Sequence, residues 1–321
     1  MNLSPWLSTL SFSSSRVAGN LTVYGLRGAS RSPHQYATLD ESLANGLAEV
    51  TEVSESGSVP ELNFTNRSHD MVLLLAGEQL VGAKQNRVLN TSILVGADSV
   101  IKIPVSCVEQ GRWRYKSRGF GSSGTSAHAR LRKEMSKHVS ESFFASGKAR
   151  ADQGKVWSEV SRKLRSLAVE SESEALEMVF ESRHRELEDS LLRSKPDEDW
   201  CGVMVYCHGK LAAIDCFDRP ESLRKYWDKL IRGHTLDALE AAEVSSVPEG
   251  RPEDWLARLV EAMRPDVAPS CVLVGIHSGG VWVARRPETD RPPVRVPASN
   301  GPAGQVRRTR PRTSDSQNWF R

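Results

Sequence analysis

Short segments in which apolar and polar residues alternate, or in which apolar residues run together, recur up to about residue 108. Period-two alternation places every second side chain on one face of a strand, and short apolar runs suit strands buried on both faces. The segments are Leu21–Leu26, Met71–Ala76, Gln79–Ala83, Arg87–Val95 and Val100–Val108. The Gly77-Glu78 pair between the second and third segments predicts a β-hairpin. We therefore expect a β-rich core of antiparallel strands and hairpins.

The apolar period becomes helical after a Gly/Ser-rich stretch, Gly119–Ser126, which itself predicts a flexible loop. The apolar positions of a first helix are Leu131, Met135, Val139 and Phe143, and those of a second are Trp157, Val160, Leu164 and Leu167. Asp152 is placed to cap the second helix. The Ser171-x-x-Glu174 pattern predicts the start of a third helix, which ends before Pro196. The middle section is therefore predicted to be helical.

Hairpins return after residue 200. The segment Asp218-Arg219-Pro220-Glu221 predicts a helix start, with an acidic cap and Pro in the first turn, and we expect that helix to end near Gly233. The other predicted elements are a hairpin of Gly202–Cys207 with Leu211–Phe217 around His208-Gly209, a helix at Pro252–Met263, and a hairpin of Cys271–Gly275 with Val281–Ala284. Runs of strands, then helices, then hairpins are typical of an α+β fold.

The composition is that of a soluble globular protein, with 39% hydrophobic and 26% charged residues in a chain of 321. The longest apolar run, Met71–Ala76, is far shorter than the roughly 20 residues of a transmembrane helix. The N-terminus lacks the basic and apolar regions of a secretory signal. Five cysteines without a CxxC pair argue against a disulfide framework or a zinc ribbon. We therefore expect a cytoplasmic protein with no membrane segment.

Charge is unevenly distributed along the chain. Residues 285–321 hold nine arginines and three carboxylates, a net charge of +6, whereas residues 1–284 carry −3. This Arg- and Pro-rich tail has few apolar residues, which predicts disorder. The expected organisation is a flexible N-terminus over residues 1–15, a single α+β domain over 16–285 and a disordered tail over 286–321. The tail is either a solubilising extension or a weak contact for RNA, DNA or acidic proteins.

Hydrogen-bonding side chains are unusually dense between Gly77 and Trp113. They are Glu78, Gln79, Lys84, Gln85, Asn86, Arg87 and Asn90, followed one strand later by Cys107, Glu109, Gln110, Arg112 and Trp113. If these strands pair, residues at the same ends converge on one cavity. Such a cavity suits an anionic, oxygen-rich ligand. Lys84, Arg87 and Arg112 would neutralise its charge, while Gln85, Asn86 and Asn90 would bind its hydroxyl groups.

Three residues of this cluster are candidate catalytic groups. Glu78 or Glu109 would act as a general base if burial raises its pKa. Cys107 would act as a nucleophile only with a lowered pKa. The alternative is structural: Gly77-Glu78 is a turn, Lys84–Arg87 a solvated link and Cys107 a small core residue.

The strings GEQLVGAKQNRVLNTSILV and IPVSCVEQGRW resemble the signature of the ADP-ribosylglycohydrolase- and rhodanese-phosphatase-superfamily-associated protein domain, a bacterial family. TLDESL near residue 38, VPEL at 59–62, DQGKVW at 152–157 and the hairpin that ends in Ile214-Asp215-Cys216-Phe217 also fit the family. The resemblance covers about Leu21 to Glu240. The residues that match the family motifs are Glu78, Lys84, Gln85, Asn86, Arg87, Asn90, Cys107, Glu109, Arg112 and Trp113.

This family is named for neighbouring enzymes, so the resemblance implies a setting of ADP-ribosyl, NAD-derived or nucleotide metabolism and no particular reaction. The leading hypothesis is a hydrolase or transferase that acts on NAD derivatives, ADP-ribose, nucleotides or RNA termini, with a small phosphorylated ligand and partner enzymes of ADP-ribosyl metabolism. The alternative is a non-catalytic binding or sensor module that regulates a partner enzyme. The sequence indicates no cofactor.

Four weaker features have ordinary explanations. Gly119–Gly124 matches GxGxxG, but no buried strand precedes it, so a flexible loop is favoured over a dinucleotide site. Residues 112–118 alternate cations with Trp113, Tyr115 and Ser117, as in a solvated edge strand or a track for nucleic-acid phosphates. The eight histidines form no ligand-spaced motif, so no metal site is indicated. Asp215 either assists a turn or is a buried carboxylate that completes a site.

Overall fold

The structure is a computed structural model that describes residues 4–29, 35–241, 247–262, 271–277 and 280–285. The strands are β1 (Ser11–Ala18), β2 (Leu21–Arg27), β3 (Tyr36–Thr38), β4 (Ala48–Glu52), β5 (Glu61–Asn66), β6 (Met71–Leu74), β7 (Glu78–Gly82), β8 (Arg87–Leu89), β9 (Ile93–Val95), β10 (Ser99–Cys107), β11 (Phe120–Ser126), β12 (Gly202–Cys207), β13 (Lys210–Cys216), β14 (Cys271–His277) and β15 (Gly280–Arg285). The helices are α1 (Ser4–Leu7), α2 (Leu39–Ala44), α3 (Ala129–Ser146), α4 (Gln153–Ser166), α5 (Glu177–Ser182), α6 (His184–Arg193), α7 (Pro220–Ala238) and α8 (Pro252–Ala262).

Six strands close into a small barrel in the order β10-β5-β4-β11-β7-β8, with antiparallel neighbours throughout. Alternate residues of each strand point inward, so the interior is filled by side chains such as Val50, Phe64, Leu80, Leu89 and Val105. Closure pairs the strands around the ring and so leaves no open sheet edge. The barrel is therefore a packed core in which only the ends are free to hold polar groups.

A second, four-stranded antiparallel sheet has the order β1-β2-β12-β13. All residues of β12 are buried, because Val203 and Val205 pack under α7 while Met204 and Tyr206 pack against α1 and α8 on the other face. Gly25 in β2 leaves room for Trp200, since a Cβ there would lie 1.9 Å from the indole.

Helices α3 and α4 cover the outer face of the barrel. Val88 and Val108 point outward from their strands and pack with Leu131, Val160 and Leu164 in one apolar cluster. A three-stranded sheet, β3-β6-β9, lies beside the barrel, with β3 parallel and β9 antiparallel to β6. The antiparallel sheets, the barrel and the helical middle section confirm the predicted α+β class.

Several predicted elements are confirmed. Helix α3 buries Leu131, Met135 and Val139 and α4 buries Val160 and Leu164 as predicted, whereas Phe143 and Trp157 are only partly buried. Asp152 caps α4 by accepting the Lys155 N–H at 3.1 Å. The β12–β13 hairpin turns at His208-Gly209, and β14 pairs with β15 as expected. Helix α1 lies before residue 16 and strand β1 begins before it, where a flexible terminus was expected. The predicted tail, 286–321, lies outside the described residues.

The predicted hairpin at Gly77-Glu78 is wrong. Strand β6 pairs with β3 and β9, whereas β7 enters the barrel between β11 and β8. Gly77, with a φ of 92°, redirects the chain between the two sheets. The single strand predicted for Arg87–Val95 is two strands, because β8 belongs to the barrel and β9 to the three-stranded sheet. Local alternation predicted the strands but carried no information about their partners.

The segment predicted as a Gly/Ser loop is strand β11 over Phe120–Ser126, in which Thr125 is hydrogen-bonded while Ser126 Oγ has no partner among the described residues. Gln79 Nε2 donates to Thr125 Oγ1 at 2.6 Å, and the register shifts between Ser122 and Ser126 as the strand bends. Conversely, the edge strand predicted for residues 112–118 is a loop. Its Lys116 N–H bonds to Ala83 O at 2.9 Å, which ties the loop to the end of β7.

Two helix predictions are corrected. The segment after Ser171 forms two short helices, α5 and α6, and Glu174 has a φ of 48°, so the predicted capping box does not form. Ser171 Oγ accepts the Ala175 N–H instead. Helix α7 continues through Gly233 to Ala238. Gly233 does not end the helix but allows it to pack closely on β11, since a Cβ there would lie 2.6 Å from Ser126 O. Asp218 was expected to cap this helix, but its Oδ1 accepts from Tyr36 and Ser222.

Among the described residues, no helix has both the length and the apolar character that crossing a bilayer requires.

Candidate functional site

One end of the barrel holds buried charge. Glu52, Arg87 and Cys107 continue the inward-facing rows that begin with Val50, Leu89 and Val105. Because side chains alternate along a strand, the same pattern that fills the core carries these three groups into its last layer. We call Glu52, Gln85, Arg87 and Cys107, together with the covering residues Lys84 and Trp113, the barrel mouth.

Arg87 is fully buried but only partly bonded. Its Nη1 donates to Gln85 Oε1 at 3.0 Å, and Cys107 Sγ donates to the same oxygen at 2.9 Å. Arg87 Nε and Nη2 and both oxygens of Glu52 make no hydrogen bond within the described part of the chain. Arg87 Nη2 and Glu52 Oε1 lie 3.9 Å apart, an ion-pair distance. Unbonded buried polar groups cost about 1–3 kcal/mol each, so this arrangement calls for a partner.

Lys84 and Trp113 cover the barrel mouth. Lys84 Nζ lies 5.4 Å from the Trp113 ring centroid and 5.0 Å from that of Tyr115, and Arg87 Cζ lies 5.7 Å from the Trp113 ring. Trp113 and Tyr115 are half exposed, at 49% and 51%. The cover is therefore an aromatic and cationic surface that also faces solvent.

Burial sets the protonation of the groups at the barrel mouth. It lowers the pKa of Arg87, although a nearby thiol and carboxylate oppose the change. It also raises the pKa of Cys107 to about 11, and Arg87 offsets this only in part. At neutral pH Cys107 is therefore a thiol and not an activated nucleophile.

Glu109 is bound by three groups beside the barrel mouth. Arg112 donates Nε to Oε1 at 2.9 Å and Nη2 to Oε2 at 2.7 Å, the Asn86 N–H donates to Oε2 at 3.0 Å, and Ser173 Oγ donates to Oε1 at 2.9 Å. Burial opposes ionisation of Glu109, but these donors outweigh it, so the pKa lies below its usual value. A carboxylate held in this way is a poor proton acceptor.

Arg112 acts as a brace for the surrounding loops. Its Nη1 donates to Ala83 O at 2.6 Å and Arg114 O at 2.9 Å, and its Nη2 donates to Gly82 O and Asn86 Oδ1, both at 3.2 Å. Together with the Glu109 bonds, these contacts engage the whole guanidinium. Arg112 and Asn86 therefore hold the loop that carries Lys84 and Gln85.

The structure places Glu78 and Asn90 away from the barrel mouth. Glu78 is fully buried, accepts the Leu75 N–H at 2.6 Å and pairs with Lys229, whose Nζ also bonds Asp40 at 2.6 Å. Burial raises the pKa of Glu78, and Lys229 opposes that rise. Asn90 accepts from Ser106 Oγ at 2.7 Å and donates to Ala149 O at 3.2 Å. The ten candidates therefore do not share one cavity: five lie at the barrel mouth, three lie beside it, and Glu78 and Asn90 lie apart with separate partners.

Sequence reasoning missed Glu52 at the barrel mouth, and it noted Gln153, within the DQGKVW string, without identifying its partner. Glu52 ends the alternating run Ala48-x-Val50-x-Glu52, so continuing that alternation would have placed its carboxylate inside the barrel. Gln153 donates to Cys107 O and accepts the Cys107 N–H, both at 2.8 Å, and so joins α4 to the edge of β10. No local pattern indicates that pairing, because 46 residues separate the partners.

The weaker sequence patterns have structural roles. Asp215 forms a buried ion pair with Arg132 and accepts from His234 Nε2 at 3.2 Å. The GxGxxG match lies in strand β11 and precedes α3, which His128 caps. Among the residues that the structure describes, no group of three or more His, Cys, Asp and Glu side chains is placed to hold a metal ion.

A family model for the ARG and Rhodanese-Phosphatase-superfamily-associated Protein domain (ARPP-1) matches residues 9–273, most of the chain. The chain belongs to this family. The ARPP-1 name associates its members with ADP-ribosylglycohydrolase and with the rhodanese-phosphatase superfamily and specifies no activity. No curated protein and no solved structure gives a significant match. The ARPP-1 match spans the barrel, the helical middle section and the four-stranded sheet.

Proposed function

We propose that this ARPP-1 protein is a ligand-binding module that holds a phosphorylated, ribose-containing molecule of the ADP-ribose type at the barrel mouth. The observation that carries the proposal is the pair of unsatisfied buried groups, Arg87 and Glu52. The unbonded N–H groups of Arg87 suit a phosphate oxygen, and the unbonded carboxylate of Glu52 suits ribose hydroxyls. Trp113 adds a surface on which a flat base can stack. Entry requires Trp113 and Lys84 to move off the mouth.

The arrangement favours binding over catalysis. Glu109 is held ionised by Arg112, Glu78 is paired with Lys229 outside the barrel mouth, and Cys107 stays protonated. Each of the three candidate catalytic groups therefore lacks either access to the mouth or the reactive protonation state. A module of this kind would present its ligand to, or report it to, a cytoplasmic partner enzyme. The family name supports the ADP-ribosyl context of that partner. Contact of the basic tail with RNA remains part of the proposal.

The test is ligand-dependent stability of the full chain. ADP-ribose at a hundredfold excess over its Kd would raise the free energy of unfolding by about 2.7 kcal/mol. We expect Trp113→Ala and Lys84→Ala to weaken binding at least tenfold, and Glu52→Gln to weaken ribose 5-phosphate more than inorganic phosphate. Phe144→Ala and Lys102→Ala are matched controls, since both side chains are exposed, at 65% and 64%, and lie outside the barrel mouth.

Absence of any shift with ADP-ribose, ribose 5-phosphate and phosphate would contradict the proposal. So would binding that the variants and the controls weaken equally, because the ligand would then lie elsewhere on the protein. Binding that does not weaken with added salt would also count against a phosphate contact.

A second candidate function, a hydrolase or transferase at the same site, rests on Glu52 alone. Its carboxylate is buried, unbonded and 3.9 Å from Arg87, so it is available to accept a proton from water or a hydroxyl group beside a bound phosphate. Product analysis by ³¹P NMR separates the two functions. Turnover that Glu52→Gln abolishes while ADP-ribose still binds would favour the enzyme.

A further inference from the structure

A cavity of about 230 Å³ lies between the end of β13, helix α3 and strand β9, apart from the barrel mouth. Its walls are largely apolar, with Leu75, Leu89, Met135 and Phe217 among them, and half-exposed Leu94 lies at its rim. Cavities of about 150 Å³ accept benzene, so this one has room for a single ring with a short substituent. Its size therefore suits a small molecule with one ring.

The charges that line the cavity are already compensated. Arg132 holds Asp215 through two hydrogen bonds, with Nη1 to Oδ2 at 3.1 Å, and His234 Nε2 donates to the same carboxylate. Burial disfavours the ionised carboxylate, but Arg132 and His234 outweigh it and hold the pKa of Asp215 below its usual range. The other lining carboxylate, Asp218, is paired with Arg219 at 3.1 Å. An anionic ligand would meet two carboxylates and no uncompensated cation.

The lining also holds hydrogen-bond donors for which the described residues supply no acceptor. Ser136 Oγ and Arg132 Nε make no hydrogen bond to any described residue, and both side chains line the cavity. Ser92 Oγ accepts the Ala76 N–H at 2.8 Å, which leaves its own hydroxyl hydrogen to donate. Three hydrogen-bond donors therefore face a largely apolar cavity whose charged lining residues are compensated by their partners.

We infer that this cavity is a second binding site, for an uncharged, single-ring molecule that carries a carbonyl oxygen. The apolar walls bury the ring, and the carbonyl accepts from the hydroxyls of Ser92 and Ser136 and from Arg132 Nε. A neutral acceptor satisfies these donors without placing a charge beside Asp215 and Asp218. The site is independent of the barrel mouth, because it shares none of the residues that form it.

Benzamide and benzoate test the inference, since they have the same ring and differ in charge. In full-length protein labelled with ¹³C at its methionine methyl groups, benzamide should shift the Met135 resonance saturably. It should leave Met178 and Met204 in place, because neither lines the cavity. We expect benzoate to bind at least tenfold more weakly. Glu52→Gln should not change the benzamide affinity, so failure of this site and failure of the barrel-mouth proposal are distinguishable.

Two variants locate the binding. Ser136→Phe fills the chamber and should abolish the Met135 shift, with Ser140→Phe, one turn along α3 and outside the lining, as its control. If Ser136→Phe does not fold, Leu94→Trp narrows the rim and should weaken benzamide at least fivefold, whereas Leu47→Trp, at a similarly exposed position, should not. No Met135 shift up to the solubility limit of benzamide would overturn the inference. Equal affinity for benzoate, or unchanged binding in Leu94→Trp, would also overturn it.

Discussion

The Arg112 guanidinium and the Glu109 carboxylate form a two-bond pair, with Nε–Oε1 at 2.9 Å and Nη2–Oε2 at 2.7 Å. The pair lies beside Arg87, the buried arginine of the barrel mouth. Glu109 accepts the Asn86 N–H, and Arg112 donates to Ala83 O, so the pair is bonded to the backbone through both of its members. It therefore fixes the loop that covers the mouth and is not itself available to a ligand. Arg112 and Glu109 hold this loop in place, whereas Arg87 and Glu52 lie beneath it at the barrel mouth.

Glu109→Gln tests the bracing role. Loss of the charge leaves Arg112 without its partner in a mostly buried place, which should lower the free energy of unfolding by about 3 kcal/mol. Urea unfolding measures this, and Glu49→Gln at the exposed Arg67–Glu49 pair should cost less than about 1 kcal/mol. ADP-ribose affinity, measured well below both melting temperatures, should change less than twofold. A large affinity loss with normal stability would assign Glu109 to the ligand site.

Lys229→Met should be among the most destabilising changes in the chain. It leaves Glu78 as an uncompensated charge in a fully buried position, at a cost of about 3–5 kcal/mol. The double variant Glu78→Gln/Lys229→Met should recover part of that loss, since it removes both charges. Lys225→Met, at a partly exposed pair with Glu41, is the control and should cost under about 1 kcal/mol. An additive double variant in a thermal or urea cycle would disprove the coupling.

Cys107 should behave as an inert thiol. Because its pKa is raised to about 11, the thiolate fraction at pH 7.5 is at least about 100-fold lower than in the unfolded chain. Iodoacetamide labelling followed by mass spectrometry should be slower in the folded protein by at least that factor, with the same cysteine in urea as the reference. Cys107→Ser should keep ADP-ribose binding within twofold. Rapid labelling of the native protein would restore Cys107 as a candidate nucleophile.

Glu177 gives the protein a pH dependence. Burial, and then the neighbouring Glu181, raise its pKa to about 7, above the unfolded value of about 4.3. The folded state therefore binds more protons between these values, so the stability contributed by this group falls as pH rises from about 4.3 to about 7 and is level above. Glu177→Gln should be about 1–2 kcal/mol more stable than the wild type at pH 8, after allowance for partial exposure.

Urea titrations at pH 5 and pH 8 check this difference. Exposed Glu172 lies in the loop just before α5, and Glu172→Gln is the matched control, which should follow the wild-type pH dependence. An unchanged slope between pH 5 and 8 in Glu177→Gln would show that Glu177 titrates normally.

Elements with a clear local period could be predicted from the sequence, and their partners could not. The four-residue recurrence of Leu131, Met135 and Val139 defines α3 because it depends only on helix geometry. The pairing of β7 with β11, some 40 residues apart, depends on how Gly77 redirects the chain, which alternation does not encode. Alternation therefore located strands β6 and β7, whereas the hairpin predicted between them at Gly77 was wrong.

The candidate site shows the same division. The density of polar residues from Glu78 to Trp113 marked the right region of the chain, because buried polar groups in strands need a reason. It could not show which of these groups form hydrogen bonds and ion pairs within the protein and are therefore not available to a ligand. Lys229 neutralises Glu78 from 151 residues away, and Arg112 turns inward to the backbone. Such long-range compensation separates the ligand-facing Arg87 from its neighbours, and it exists only in the folded chain.

Strand β2 pairs with the whole of β12, from Leu26 opposite Gly202 to Leu21 opposite Cys207. During synthesis the first of these strands leaves the ribosome about 180 residues before the second, so its outer edge stays unpaired for most of the time that the chain is being made. The barrel has no such delay, since its last strand ends at Ser126. We therefore expect the barrel to assemble first and the unpaired edge of β2 to be the point at which incomplete chains associate with one another.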